Sequence, residues 1–216
     1  MMDPVLFIAY LRSGLDYNVI VMDWRYPAKG LYTIVARGVP QVATQLARFI
    51  LFMKSSWNLN TLSTTLVGHS LGAHVVSLAA KGVLESSPIA RVVGLDPAKP
   101  MFQNRGSNCR LDKSHAKYVE VLHTSKFFLG MSTAVGTVDF FANNGLHQPG
   151  CNIFVTNSCS HQRAFAYFSE SIMKPTRFRA QARNGVIAYM GGPDFNKSAR
   201  GIFYFKTNSR SPYGRG

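Results

Sequence analysis

The sequence has 216 residues, 46% of them hydrophobic, enough for one sizeable core, and nothing in it marks a long linker or a repeat. Lys and Arg number 24 against 10 Asp and Glu, a net charge of +14 at pH 7 that favours anionic partners such as lipid headgroups or nucleic acid. No recognisable nucleic-acid-binding fold accompanies that charge, and no apolar run approaches the ~20 residues of a membrane span, Ile50-Leu51-Phe52-Met53 being far too short.

Met1-Met2-Asp3-Pro4 carries no basic region followed by an apolar stretch and a cleavage site, so it does not read as a signal peptide. Tyr17-Asn18-Val19-Ile20-Val21-Met22 reads as a buried strand. Val39, Val42, Leu46, Phe49, Ile50 and Met53 recur at helical spacing and predict one apolar helix face, with Pro40 near the first turn. Thr64-Thr65-Leu66-Val67 is a short β-branched run, and Ala73 to Ala80 is rich in small residues and good helix formers. Alternating β and α signals of this kind predict a single α/β domain over residues 1–216.

Between that strand and that helix lies Gly68-His69-Ser70-Leu71-Gly72, the Gly-x-Ser-x-Gly spacing of a nucleophile elbow with Ser70 at its tip. The turn is tight enough to predict that only glycine fits at 68 and 72. A helix starting at Leu71 points its free backbone N–H groups at the serine, so the Leu71 amide is the expected oxyanion donor.

A serine hydroxyl is a weak nucleophile without a base, and the base needs a group to orient it. Arg91 to Leu95 is an apolar strand that stops at Asp96-Pro97, which places the Asp96 carboxylate at the strand's C-terminal end, where sites of open α/β sheets lie. His161 follows Cys159-Ser160 where a loop feeds a helix, giving the order serine, acid, histidine expected of this turn. His69 is expected to point away from Ser70 and His74 to pack. His123 closes the strand Tyr118 to Leu122, and His115 and His147 sit in polar or Gly/Pro-containing segments. Asp112 reads as a solvated loop charge and Asp139 as a structural cap or pair. Ser70, Asp96 and His161 are therefore the expected triad, with no metal and no cofactor.

Six segments carry a resemblance: Val-Gly-His-Ser-Leu-Gly-Ala-His at 67–74, Gly-Leu-Asp-Pro-Ala-Lys-Pro at 94–100, Val-Leu-His-Thr at 121–124, Gly-Thr-Val-Asp-Phe-Phe-Ala-Asn-Asn-Gly at 136–145, Gln-Pro-Gly-Cys at 148–151 and Cys-Ser-His-Gln-Arg-Ala at 159–164. With Ala199-Arg200-Gly201 and Thr207-Asn208-Ser209, they make the chain resemble the pancreatic-lipase family from about Tyr17 onward, its insect members and wasp-venom phospholipase A1 proteins most. The resemblance implies an α/β-hydrolase fold, a mostly parallel sheet with flanking helices, and cleavage of lipid esters with Ser70 as nucleophile, Asp96 as orienter and His161 as base and acid. The family also carries an upstream strand ending in a His-Gly loop that donates a second oxyanion N–H. No His-Gly pair occurs here, so the upstream strands are expected to be missing and the chain to be N-terminally truncated, with a shortened paralogue of impaired catalysis as the alternative.

Cys151 and Cys159 bracket seven residues, Asn152 to Ser158, and are expected to pair in an oxidising compartment, where closing so short a loop is worth roughly 2.5 kcal/mol on the chain-entropy model. In the resembled family this disulfide frames a lid, short in phospholipase A1 members, so phospholipid is the expected substrate and triacylglycerol the next. Cys109 is left without an assigned state. From Lys174 to Gly216 nine Lys or Arg stand against Asp194 alone, which would suit an anionic membrane surface or simply keep the surface charged. The family implies an extracellular protein working at a lipid–water interface, with no nucleic-acid partner; a lipid-binding or storage protein on the same scaffold is the alternative. Asn196-Lys197-Ser198 is a glycosylation triplet of a kind common by chance.

Overall fold

Residues 91–95, 118–123 and 138–142 are buried at every position, inward and outward alike. Strands of that kind belong in the middle of a parallel sheet covered by helices on both faces. The structure is a computed structural model that describes residues 4–152, 158–193 and 198–216.

The elements are helices α1 (Pro4–Leu11) and α2 (Tyr32–Trp57), strand β1 (Thr65–His69), helix α3 (Leu71–Gly82), strands β2 (Arg91–Leu95), β3 (Tyr118–His123) and β4 (Val138–Ala142), helix α4 (Ser158–Met173), and strands β5 (Arg179–Gln181), β6 (Ile187–Tyr189) and β7 (Gly201–Phe205). They form a seven-stranded sheet in the order β1-β2-β3-β4-β7-β5-β6. The first five strands in that order run parallel, and β5 and β6 close the far side antiparallel. This is the mostly parallel α/β arrangement that the sequence predicts. One apolar core lies between the sheet and α2 with α3, where Val39, Ile50, Val75 and Val119 meet. The other lies under α1 and α4, where Leu6, Phe140, Tyr167 and Phe168 meet.

Register decides which residues share an edge. Gly68 pairs with Gly94, His69 with Leu95, and Leu95 in turn with Leu122. The residues just past β1, β2 and β3, namely Ser70, Asp96 and the run Thr124-Ser125, therefore emerge together at the C-terminal edge.

Three local expectations are corrected. Tyr17 to Met22 forms no strand; Tyr17, Ile20 and Val21 are 39%, 55% and 45% exposed, while Met22 and Trp24 lean on the core. An apolar run becomes a strand only when a ladder partner is available, and β1 pairs with β2 alone among the described residues. Pro40 lies inside α2, not in its first turn, because the helix starts as early as Tyr32. Its ring faces solvent, and burial of Val35, Val39, Leu46 and Ile50 outweighs a cost of about 3 kcal/mol for interior proline. Phe49, expected on the buried face, is 41% exposed.

His74 ties the elbow helix to the chain beyond Asp96. It is fully buried on α3 and stacks on Phe102 at 3.9 Å between ring centroids. The Leu111 amide donates to Nδ1 at 3.0 Å, so the ring's own proton sits on Nε2 and is donated to the Ala98 carbonyl at 2.9 Å. Burial pushes its pKa down to about 4. Protonation below that range would put a second N–H against the Leu111 amide. Because the unfolded chain takes up this proton near pH 6.5 and the folded one only near 4, stability is complete above 6.5 and falls as pH drops toward 4. Thermal melts between pH 7 and 4 should show that decline. In His74→Leu the midpoint should be lower at pH 7 and the decline shallower.

Candidate active site

Ser70 sits between the end of β1 and the start of α3 at φ 55, ψ −121, a conformation costing a non-glycine residue of order 1–3 kcal/mol. Backbone bonds over-determine it. The Ser70 amide donates to the Leu95 carbonyl at 3.0 Å, and the Ser70 carbonyl accepts from the Ala73 and Ala98 amides, both at 3.2 Å. A Cβ on Gly68 would overlap the Gly72 carbonyl oxygen, so glycine is obligatory at 68. The matching expectation for Gly72 is corrected: a Cβ there would meet nothing within 4 Å, since only the Gly72 backbone makes the close approach. The Leu71 amide, first of the helix, has no intrahelical acceptor.

Asp96 follows β2 in the left-handed region at φ 41 and is fully buried. Its Oδ1 accepts the Thr124 and Ser125 amides at 2.8 and 3.1 Å. Its Oδ2 accepts His161 Nδ1 at 2.6 Å and the Ser125 hydroxyl. Burial alone would raise the pKa, but the bond and charge of His161, helped by Ser125 and Thr124, hold the carboxyl below its ordinary value. Asp96 is thus an anion, and His161 must carry its proton on Nδ1 to donate to it. The other ring nitrogen, Nε2, is left as the basic one.

His161 lies in the first turn of α4, which is pinned from two sides. Cys159 is bonded to Cys151 across a Cα–Cα distance of 5.7 Å, and the Gln148 amide donates to Ser160 Oγ at 3.0 Å. His69, the residue before the serine, turns its ring onto His161 at 4.3 Å and onto Phe165 at 4.2 Å. Its Nε2 donates to the His161 carbonyl at 3.0 Å, and burial together with the neighbouring His161 lowers its pKa to about 3. It is a neutral support for the second histidine and adds no competing charge.

The remaining candidates are engaged elsewhere. His123 and Asp139, alternatives for base and acid, bond to each other at 2.8 Å under Phe141, which stacks on the His123 ring at 4.1 Å. His115 pairs with Ser77, His147 with the Cys151 carbonyl, and Asp112 with Ser114 and Arg110. Cys109 is a free, exposed thiol. Residues 153–157, inside the span expected to be a lid, Asn196 and Lys197 of the glycosylation triplet, Asp194 and Met1 to Asp3 lie outside the described residues. The structure therefore brings Asp96 and His161 into direct contact, and it ties the Ser70 backbone to Leu95 and Ala98 on either side of Asp96 and, through the neighbouring His69, to the His161 ring. Sequence reading missed Ser125 and the supporting place of His69. The available signal was the parallel pairing that must carry Thr124-Ser125 next to Asp96.

A parallel sheet sandwiched by helices, with a serine on a strained strand–helix turn and an Asp–His pair at the same edge, defines an α/β-hydrolase. The chain matches the family described as Lipase over residues 6–213, and it belongs to the lipase family. It is 36% identical over 167 residues to pancreatic lipase-related protein 2 of Cavia porcellus, covering 74% of this chain and 38% of that protein. It is 32% identical over 235 residues to phospholipase A1 2 of Vespa affinis, 96% of this chain and 70% of that protein. It is 33% identical over 183 residues to pancreatic triacylglycerol lipase of Homo sapiens, 74% of this chain and 39% of that protein. The chain thus spans well under half the length of the two pancreatic relatives.

The two elbow glycines give opposite expectations. Gly68→Ala should lower stability by about 2–4 kcal/mol, because backbone must move to admit the methyl group. Gly72→Ala should fold as well as the parent or better by up to about 1 kcal/mol, from helix propensity. Urea denaturation of the two variants beside the parent checks both.

Proposed function

We propose that the chain hydrolyses carboxylic esters of lipids, with Ser70 as nucleophile, His161 as general base and acid, and Asp96 as the group that orients it. The observation that carries this reading is the 2.6 Å contact from His161 Nδ1 to a buried, ionised Asp96, which leaves Nε2 as the nitrogen able to take a proton. As Ser70 Oγ attacks the ester carbonyl carbon, its proton passes to Nε2. The carbonyl oxygen becomes an anion at the Leu71 amide. Collapse breaks the ester C–O bond, the leaving alkoxide takes the proton from Nε2, and the acyl group stays on Ser70. Water then repeats the sequence, with Nε2 taking its proton, and releases the fatty acid.

Phospholipid is the substrate this reading prefers, hydrolysed as by a phospholipase A1, with triacylglycerol second. Three observations support it: the short span from Cys151 to Cys159, the wasp relatives named phospholipase A1, and the surface next to the Asp96–His161 pair. There Phe127 and Phe128 stand 68% and 57% exposed beside Lys126 and Lys99, an apolar tip with basic flanks suited to an anionic lipid–water interface. The Cys151–Cys159 bond fits an oxidising, extracellular compartment.

Ser70→Ala should lower ester hydrolysis by on the order of 10⁶ if the three residues act as a unit. Mass spectrometry after treatment with a serine-directed phosphonate should find the adduct on Ser70. An adduct on another serine would end the assignment, and neither adduct nor turnover would favour a lipid-binding scaffold. On substrates, cleavage at the sn-1 ester of phospholipid should outpace cleavage of emulsified triacylglycerol, and added salt should weaken binding to anionic vesicles. Faster triacylglycerol hydrolysis would discard lid length as a guide.

A further inference from the structure

The Asp96 carboxylate has a partner that neither motif nor order of residues announces. Ser125 lies two residues beyond the end of β3 and is buried to 1% exposure. Its amide donates to Asp96 Oδ1 at 3.1 Å and its hydroxyl donates to Oδ2, the oxygen that also receives His161 Nδ1. The direction of that hydroxyl proton is fixed by a third group. The Gly130 amide donates to Ser125 Oγ at 3.1 Å, occupying a lone pair, so the single hydroxyl proton is committed to the carboxylate. His161 Nδ1 lies 3.4 Å from Oγ, beyond a useful bond and close enough that Oδ2, Oγ and Nδ1 form one triangle.

We infer that Ser125 is a positioning residue for the proposed hydrolysis, holding Asp96 Oδ2 in line with His161 Nδ1. The inference rests on the reading of Asp96 and His161 given above. Oδ1 is gripped by two backbone amides, and a carboxylate held at one oxygen can still pivot about that oxygen and swing the other. The Ser125 hydroxyl stops that motion at the oxygen the histidine uses. Its own position is secured by the loop it begins: the Lys126 amide donates to the Gly145 carbonyl at 2.7 Å and the Lys99 amide to the Leu129 carbonyl at 2.6 Å. A Cβ on Gly130 would overlap the Asp96 carboxylate, so the far end of the loop is pressed against the same group.

The test uses the whole chain, parent and Ser125→Ala, with Ser125→Cys as a nearly isosteric variant that lacks a strong donor. Loss of one hydrogen bond to a charged group should cost about 10- to 100-fold in kcat with KM little changed. The decisive readout is the downfield proton resonance of His161 Nδ1, identified by its absence in His161→Gln. In both Ser125 variants it should move upfield and broaden as the Asp96 bond slackens. A resonance that stays in place or moves further downfield overturns the inference, whatever happens to rate, because a residue that only stabilises the fold would lower activity without moving it. If Ser70→Ala kept full hydrolysis, the nucleophile assignment would fall, while the resonance would still judge Ser125.

Discussion

The close approach of two backbones at the elbow, the Cα of Gly68 against the carbonyl of Gly72, is the constraint on which the site depends. It lets the chain reverse from β1 into α3 with one residue between them, and that residue must take a strained conformation. The strain is tolerable because Ser70's amide and carbonyl are both committed to neighbours on β2 and beyond. The same bonds fix the distance between the serine and the residue that ends β2. Position of Ser70 and position of Asp96 are thus one backbone problem solved once.

Two titratable groups in this small volume respond to burial in opposite ways, and the count of partners explains the difference. Taking a carboxylate out of water costs several kcal/mol, but Asp96 receives four donors, each worth about 1.5–3 kcal/mol to a charged acceptor. Compensation wins and the group stays charged. His69, packed against His161 and Phe165, finds among the described residues only a carbonyl to bond, so the cost of burying its cation goes uncompensated and it stays neutral. One anion and one neutral support flank the same imidazole, which fits the part proposed for His161.

What the sequence made legible is what is local. Gly68, Ser70 and the helix after them announce themselves by spacing, Asp96 by an apolar strand that stops at Asp-Pro, and His161 by its place where α4 begins. What stayed hidden depends on register or on partners. Ser125 reaches Asp96 only because Leu122 pairs with Leu95, which no local pattern states. The support that His69 gives depends on the packing of α4, which brings His161 and Phe165 onto its ring. Tyr17 to Met22 has the composition of a strand and lacks a ladder to join, and Gly72 mimics a steric requirement that belongs to its partner.

The loop from Ser125 to Gly130 has fixed ends and a free crown. Both ends grip or abut the Asp96 carboxylate, while Phe127 and Phe128 at the crown reach solvent. Such a cassette separates two kinds of change. Residues at the crown can be exchanged, or the crown lengthened outward, altering what surface the protein meets without disturbing the acid beneath. Any change at either post is felt at the acid directly, however well the exposed tip is preserved. Change of the exposed tip and preservation of the carboxylate's setting are therefore written in different letters of the same six-residue segment.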